Sequence, residues 1–234
     1  MANLRRWLVS LCTRRKAGAT QEEWKNIRMS FSQFGEDLVL EHLLPPKGFY
    51  IDIGANHPVT HSNTWLFYRN GWRGITVEPN PDLARLHRQR RPKDRVIEAA
   101  VGKKDGWGTL QRGDSHLTNH VEICRHGQKS KKSGSVRILT LSRILLENLP
   151  AETEVDLLNV DCEGMDLQIL QGHDWKRCRP KVICAEAKTP GEERKLKALL
   201  QRRGYAMQAR IFYSVIFVRK DWLEKCLPGL PETG

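Results

Sequence analysis

The 234-residue chain predicts an α/β fold, a doubly wound and mainly parallel seven-stranded sheet that ends in an antiparallel pair. Three observations carry that reading. Short apolar, β-branched runs alternate with helical patterns from residue 49 to residue 203, the pattern of successive βαβ units. The first two runs each end in a sharp turn with an acid beside it: Asp52 just before Gly54, then Glu78, 24 residues after that glycine. The last two runs, 205–210 and 213–219, predict a terminal hairpin.

Each element follows from local signals. Ser32 caps a helix that runs to Leu44, with Leu38, Val39, Leu43 and Leu44 at helical spacing, and Pro45 and Pro46 end it. A strand spans 49–53. A helix through Trp65, Leu66, Phe67 and Tyr68 stops at Gly71. The second strand is 74–78, Pro81 opens a helix to Arg90, and the third strand is 95–101. Residues 102–135 are rich in Gly, Ser, Lys and His and read as a long loop over the active face, with a short strand near 108–111. An edge strand at 136–139 and a helix from Ser142 to Leu149 follow. Strand 155–160 leads into Asp161-Cys162-Glu163-Gly164 and a helix over 165–172. Strand 181–185 ends at Glu186, and a periodic helix over 191–203 stops at Gly204. The expected organisation is a basic extension (1–30), one domain (31–220) and a tail (221–234).

The turns specify a ligand class. In a doubly wound sheet a nucleotide-like ligand lies across the carboxyl ends of the first strands, and the acid of the second strand accepts from the ribose hydroxyls. A dinucleotide site wants G-x-G-x-x-G before a helix. Here the turn reads Gly54-Ala55-Asn56-His57-Pro58, with one glycine, and Asn56 tolerates the left-handed conformation a second glycine would supply. Asp52 is expected to face the ligand, where it repels phosphate and attracts an ammonium. S-adenosylmethionine carries an ammonium, a sulfonium and a ribose but no phosphate, so the residues favour it over NAD.

Net charge is +12, from 39 basic and 27 acidic residues. Basic runs at 1–20, 85–95 and 125–137 favour anionic partners such as nucleic acid, lipid headgroups or a charged glycan. No aromatic residue interleaves the second and third runs, which counts against nucleic acid bound by stacking. No run of 18 apolar residues exists, so no membrane span is expected. The segment 7–12 is too short for a secretory leader. A cytoplasmic protein is expected, with peripheral contact at the inner membrane face through residues 1–30. The six cysteines have no zinc spacing and read as free thiols. Leu230-Pro231-Glu232-Thr233-Gly234 matches a sorting motif without its apolar sequel, and reads as coincidence or a ligation tag.

Several motifs in order carry a family resemblance: Ser32-Gln33-Phe34-Gly35-Glu36-Asp37, Tyr50-Ile51-Asp52-Ile53-Gly54-Ala55-Asn56, Ser62-Asn63-Thr64, Gly71-Trp72-Arg73-Gly74, Glu78-Pro79-Asn80-Pro81, Ala100-Val101-Gly102 and Asp161-Cys162-Glu163-Gly164. Over residues 30–220 the chain resembles the FkbM-type methyltransferases. The resemblance implies a class I, Rossmann-like fold and O-methylation with S-adenosylmethionine, on polyketide or sugar hydroxyls. It implies a cofactor lining of Asp52, Gly54, Ala55, Asn56, Glu78, Pro79, Glu98, Ala99 and Asp161. Glu98 departs from the family, which often has a neutral polar residue there. The resemblance also implies that the helix bearing Gln33 and Asp37 at its start closes the cleft.

Methyl transfer from a sulfonium is an in-line displacement that needs the acceptor aligned and its proton removed. Asp161, Glu163 and Glu186 stand at neighbouring strand ends, so they are the catalytic candidates. Asp161 and Glu186 could hold Mg²⁺, as acids do in the catechol-type O-methyltransferases. One carboxylate could instead be the base, or Asp161 or Glu163 could simply cap the next helix. His57, His61, Asn63 and His116 are candidates for the substrate side of the cleft. The expected acceptor is a small molecule or glycan. Methylation of RNA and non-catalytic cofactor binding are the rival readings.

Overall fold

The structure, a computed structural model, describes residues 27–111, 120–123 and 134–226. His116, most of the basic extension and the end of the tail lie outside the described residues. Among the described residues no helix is long and apolar enough to cross a membrane. The four described cysteines, Cys162, Cys178, Cys184 and Cys226, are free.

The elements in chain order are α1 (Glu36–Leu43), β1 (Phe49–Ile53), α2 (Trp65–Arg69), β2 (Arg73–Val77), α3 (Pro81–Arg90), β3 (Arg95–Ile97), β4 (Ala100–Val101), β5 (Gly106–Gln111), β6 (His120–Ile123), β7 (Ser135–Leu139), α4 (Leu141–Asn148), β8 (Leu157–Val160), α5 (Asp166–Gln171), β9 (Val182–Glu186), α6 (Pro190–Gln201), β10 (Tyr205–Ile211), β11 (Ser214–Arg219) and α7 (Lys220–Cys226). Seven strands form the main sheet in the order β10-β11-β9-β8-β1-β2-β3. The five strands from β9 to β3 pair in parallel, and β11 runs antiparallel to both β9 and β10. This is the seven-stranded class I methyltransferase form of the doubly wound fold. The winding reverses between β1 and β8, which opens a crevice at their carboxyl ends.

Sequence explains these elements. β1, β2, β8 and β9 are buried along nearly their whole length, so they read as unbroken apolar runs. Ile51 and Ile53 face the larger core with Val160, Ile183 and Phe217, while Tyr50 faces the core on the other side with Leu40, Phe67 and Trp72. The Asn80 side chain accepts from Asp82 N–H and Pro81 fills the first turn of α3. Thr189 and Glu192 form a reciprocal capping box on α6.

Four expectations are corrected. The helix expected from Ser32 begins at Glu36, and the Ser32 hydroxyl accepts from the N–H groups of Gly35 and Asp37 at 3.0 and 3.3 Å in the preceding turn. The strand expected over 95–101 is two strands in two sheets. Its first part pairs with β2 and ends where Glu78 N–H meets Ile97 O, and its second part pairs with β7. Residues 102–135 are not one long loop, because β5 and β6 lie within them. With β4 and β7 they form a second, four-stranded sheet in the order β4-β7-β5-β6. β7 is therefore an interior strand of that sheet and not an edge. The short strand expected near 108–111 is the second half of β5, whose start was hidden because Gly106 and Gly108 give it little apolar periodicity.

Candidate active site

The carboxyl ends of β1, β2, β8 and β9 surround a cavity of ≈ 690 Å³. Gly54, Asn56, Glu78 and Pro79 line it from the ends of β1 and β2, and Asp161, Cys162, Glu163, Glu186 and Lys188 from the ends of β8 and β9. Ala99, Ala100, Val101 and Gly102 form a side wall with Leu110, Val121 and Ile138 of the second sheet. Gln33 and Tyr213 stand at the rim.

The turn after β1 is fixed by its neighbours. Gly54 and Ala55 both donate to Val77 O, at 3.0 and 3.1 Å, and Asn56 N–H donates to Glu78 Oε2 at 2.8 Å. Gly54 has φ 74° and a Cβ there would overlap the carbonyl oxygen of Asp161, so only glycine serves. Asn56 takes φ 48°, the left-handed conformation expected of it. His87 of α3 lies 2.9 Å from Asn56 O through Nε2. Burial, then the Arg91 charge, holds its pKa down at about 3, so the ring is neutral and Nε2–H donates.

Glu78 is buried, and its two oxygens accept from the N–H groups of Asn56 and Asn80, each at 2.8 Å. Burial pushes its pKa up to about 7 against the pull of those two donors. Each carboxylate oxygen has a further lone pair, which leaves it able to accept from a ribose hydroxyl.

From the end of β8, Asp161 presents its carboxylate to the cavity without a hydrogen-bond or ion-pair partner among the described residues. Crowding by protein on its remaining sides, and then the charges of Glu186, Asp166 and Glu163, push its pKa well above the ordinary carboxylate range. Water in the open cavity weakens this effect, and a ligand that fills the cavity strengthens it. Lys188 Nζ sits 2.5 Å from Glu163 Oε2 and 3.3 Å from Glu186 Oε2. Burial works against the Lys188 charge, but the bond to Glu163 and the Glu186 charge outweigh it and raise the lysine's pKa. Buried Asp166 staples the two strand ends, accepting from Cys162 N–H at 3.2 Å and Glu186 N–H at 3.0 Å.

The expected site residues divide cleanly. Gln33, Gly54, Asn56, Glu78, Pro79, Ala99, Asp161, Glu163 and Glu186 come together at this cavity. Asp52 does not face it. Its carboxylate, 2% exposed, accepts from Thr64 Oγ1 and Asn159 Nδ2 and lies 4.0 Å from Arg91 Nη1. Ala55 packs behind the turn, 5% exposed. Asp37 accepts from Ser30, Phe31 and Ser32 and so pins the chain before α1. His57 Nδ1 accepts from Thr60 N–H at 2.9 Å in its own turn, and His61 is exposed with φ 56°. Asn63 donates to Asn159 Oδ1 at 3.0 Å. Glu98 faces a neighbouring cavity with Trp107 and Arg137, and Arg88 holds it at 3.3 Å.

The acids do not fit a metal. Among the described residues no group of three or more His, Cys, Asp or Glu side chains is placed to hold an ion. Beside Glu186 the positive charge is supplied by Lys188. The expected Mg²⁺ site at Asp161 and Glu186 therefore finds no support among the described residues.

Sequence reading missed Lys188, Asp166 and Tyr213. Glu186 and Lys188 are two apart at a strand end, which puts both on one side, and that signal was available. Arg91 was counted in a basic surface run, yet it is fully buried.

The model of the methyltransferase FkbM domain matches residues 52–207. No curated protein sequence matches the chain. Among solved structures, a methyltransferase FkbM from Methylobacillus flagellatus KT shares 11% identity at a TM-score of 0.43, covering 84% of this chain and 46% of that one. A SAM-dependent O-methyltransferase from Thermotoga maritima shares 11% at 0.46, covering 85% and 69%. An O-methyltransferase from Bacillus cereus in complex with SAH shares 13% at 0.41, covering 90% and 86%.

Proposed function

The chain belongs to the FkbM methyltransferase family, whose members use S-adenosylmethionine, and from that premise we propose that it methylates a hydroxyl of a sugar or glycosylated metabolite. The observation that carries the reading is one cavity lined both by a buried acceptor, Glu78, and by Asp161, a carboxylate without a hydrogen-bond or ion-pair partner among the described residues. Glu78 would take the two ribose hydroxyls, and the bare Gly54 backbone lets the ligand lie close. When bound, the cofactor supplies an electrophilic methyl on sulfur, whose transfer leaves the thioether and frees the acceptor's hydroxyl proton.

In this reading Asp161 takes that proton. Burial, and then the charges of Glu186, Asp166 and Glu163, raise its pKa above the ordinary carboxylate range, the direction that suits a general base. Lys188 pairs with Glu163 and Glu186, so that among the described residues Asp161 is the acid without a cation in contact. Gln33 and the Lys188–Glu163 pair supply donors and acceptors at the rim, which suits an acceptor with several hydroxyls.

The test is incubation with S-adenosylmethionine and a panel of free, nucleotide-linked and lipid-linked sugars, read by mass spectrometry. An acid-stable methyl ether on a sugar is expected. Methyl groups found only on added RNA would overturn the sugar acceptor and favour the RNA reading.

A further inference from the structure

Two loops meet at the rim of the cavity and turn aromatic rings outward. Phe34, before α1, and Phe212, at the tip of the β10–β11 hairpin, stack with centroids 4.0 Å apart and ring planes inclined by 21°. Both are exposed, Phe212 at 65%, and so is Tyr213 beside it. Exposed large apolar groups in one patch are the informative exception on a soluble surface.

The patch is built firmly. Buried Glu36 accepts from Phe34 N–H at 2.8 Å and from the Ser214 hydroxyl at 3.2 Å, so one carboxylate ties both loops together. Tyr213 O accepts from Ala187 N–H at 2.7 Å, which fixes the hairpin tip between Glu186 and Lys188 in sequence. Phe212 itself has φ 49°, a conformation that costs a bulky residue of order 1–3 kcal/mol. Asn or Gly would sit there without that cost.

The patch continues into the cavity, because Gln33 and Tyr213, the chain neighbours of Phe34 and Phe212, line it. We propose that the Phe34–Phe212 stack with Tyr213 is a carbohydrate platform that holds the sugar next to the one being methylated, so that the acceptor is an oligosaccharide or a glycoside of at least two rings. The inference rests on the sugar-acceptor reading above. A pyranose presents one C–H face to an aromatic surface and its hydroxyls at the edge. Flat rings bordered by Gln33 and the Lys188–Glu163 pair match that division. A lipid chain needs a groove with apolar sides, and three side chains fall short of the roughly 800 Å² per partner typical of a stable protein interface.

The test uses the full chain in two steps. Calorimetric titration with S-adenosylhomocysteine comes first, and failure to bind sinks the methyltransferase site itself, not the platform alone. Retention on a broad array of immobilised glycans, with saturating S-adenosylhomocysteine, follows for the wild type, Phe34→Ala and Phe212→Asn. Phe212→Asn keeps a residue that tolerates the turn, so its melting temperature should match or exceed the wild type. The expected result is retention of glycans of two or more rings, weakened about tenfold or more in both variants, with S-adenosylhomocysteine affinity unchanged. Retention equal in wild type and Phe212→Asn, retention of no glycan, or binding to phosphatidylcholine vesicles that the same variants abolish would each overturn the platform.

Discussion

Two clusters of acids with one cation each flank the sheet, and they are opposite in design. Behind β1, Arg91 is fully buried among Asp52, Asp94 and Tyr50. Its guanidinium donates to Pro58 O, Ser62 Oγ and Thr64 Oγ1, while Asp52 takes two further side-chain donors and Asp94 accepts from Tyr50 and Gly74 N–H. At the cavity, Lys188 is half-exposed, hydrogen-bonded to Glu163 and ion-paired with Glu186, while Asp161 is left without a partner in contact among the described residues. A network whose members satisfy one another fixes the fold. A network that leaves one carboxylate facing a cavity can act on something else. Perturbed pKa values occur in both, at Asp94 (about 6) and at Asp161, so hydrogen-bond satisfaction and not titration separates structure from site.

The largest expected effect breaks the cavity cluster. Asp161→Asn should lower the methyl-transfer rate by about 10²–10⁴-fold, the usual contribution of a general base, and leave S-adenosylhomocysteine affinity within a few-fold. A rate that rises with pH through a raised pKa should flatten in the variant. Comparable turnover in wild type and variant would return Asp161 to a purely structural role.

The second effect breaks the satisfied cluster. Arg91→Met leaves Asp52 and Asp94 without their cation, and removing one partner of a buried pair costs about 3–5 kcal/mol. Urea unfolding measures it. A loss under about 1 kcal/mol would place this arginine with ordinary surface pairs.

Glu78→Gln sharpens the comparison by pH. Burial raises the folded-state pKa of Glu78 and of Asp166 to about 7, so the folded protein binds these protons more tightly than the unfolded chain. Their contribution to stability is complete below the unfolded values near 4 and is lost as pH rises through about 7. The ligand-free protein should therefore lose urea resistance between about pH 4 and pH 7, and Glu78→Gln should lose less. The same variant should weaken S-adenosylhomocysteine binding by about tenfold, a typical cost of one charged hydrogen-bonded contact.

The smallest effect is at Lys188. Its pairs are partly exposed, so Lys188→Met should cost under about 1 kcal/mol of stability, while the rate profile of Asp161 moves to higher pH. EDTA should leave turnover of the wild type unchanged. Loss of turnover that Mg²⁺ restores would contradict the placement of Lys188 as the local cation.

The main sheet was legible because its strands are buried on both faces and announce themselves by composition. β1, α3 and the terminal hairpin lie where the residues predict them. Glu78 and Asp161 were legible too, since strand ends in a doubly wound sheet have a defined place. Asp52 was misplaced because alternation along β1 gives two faces, and nothing local says which one the ligand shares. Here Ile51 and Ile53 face one core, so Tyr50 and Asp52 turn to Arg91. The hydrogen-bond partners of the Arg91 side chain lie between 27 and 41 positions away in the chain, beyond any local pattern. The second sheet escaped because β4 and β7 pair across nearly forty residues of polar sequence.

That second sheet leaves and rejoins the frame at one point. Ala100 and Val101 lie against Ile138 and Leu139, and Gly102 N–H donates to Leu139 O at 3.0 Å. The intervening chain is thus clamped at its base like a cassette in a slot. Lengthening a connection between its strands costs little, since each doubling of a flexible loop adds only about 0.6 kcal/mol of closure entropy. The main sheet need not shift register to accept a different insert. One wall of the reaction chamber is therefore exchangeable, and a new acceptor preference could be grafted there while the methyl-donor half stays as it is.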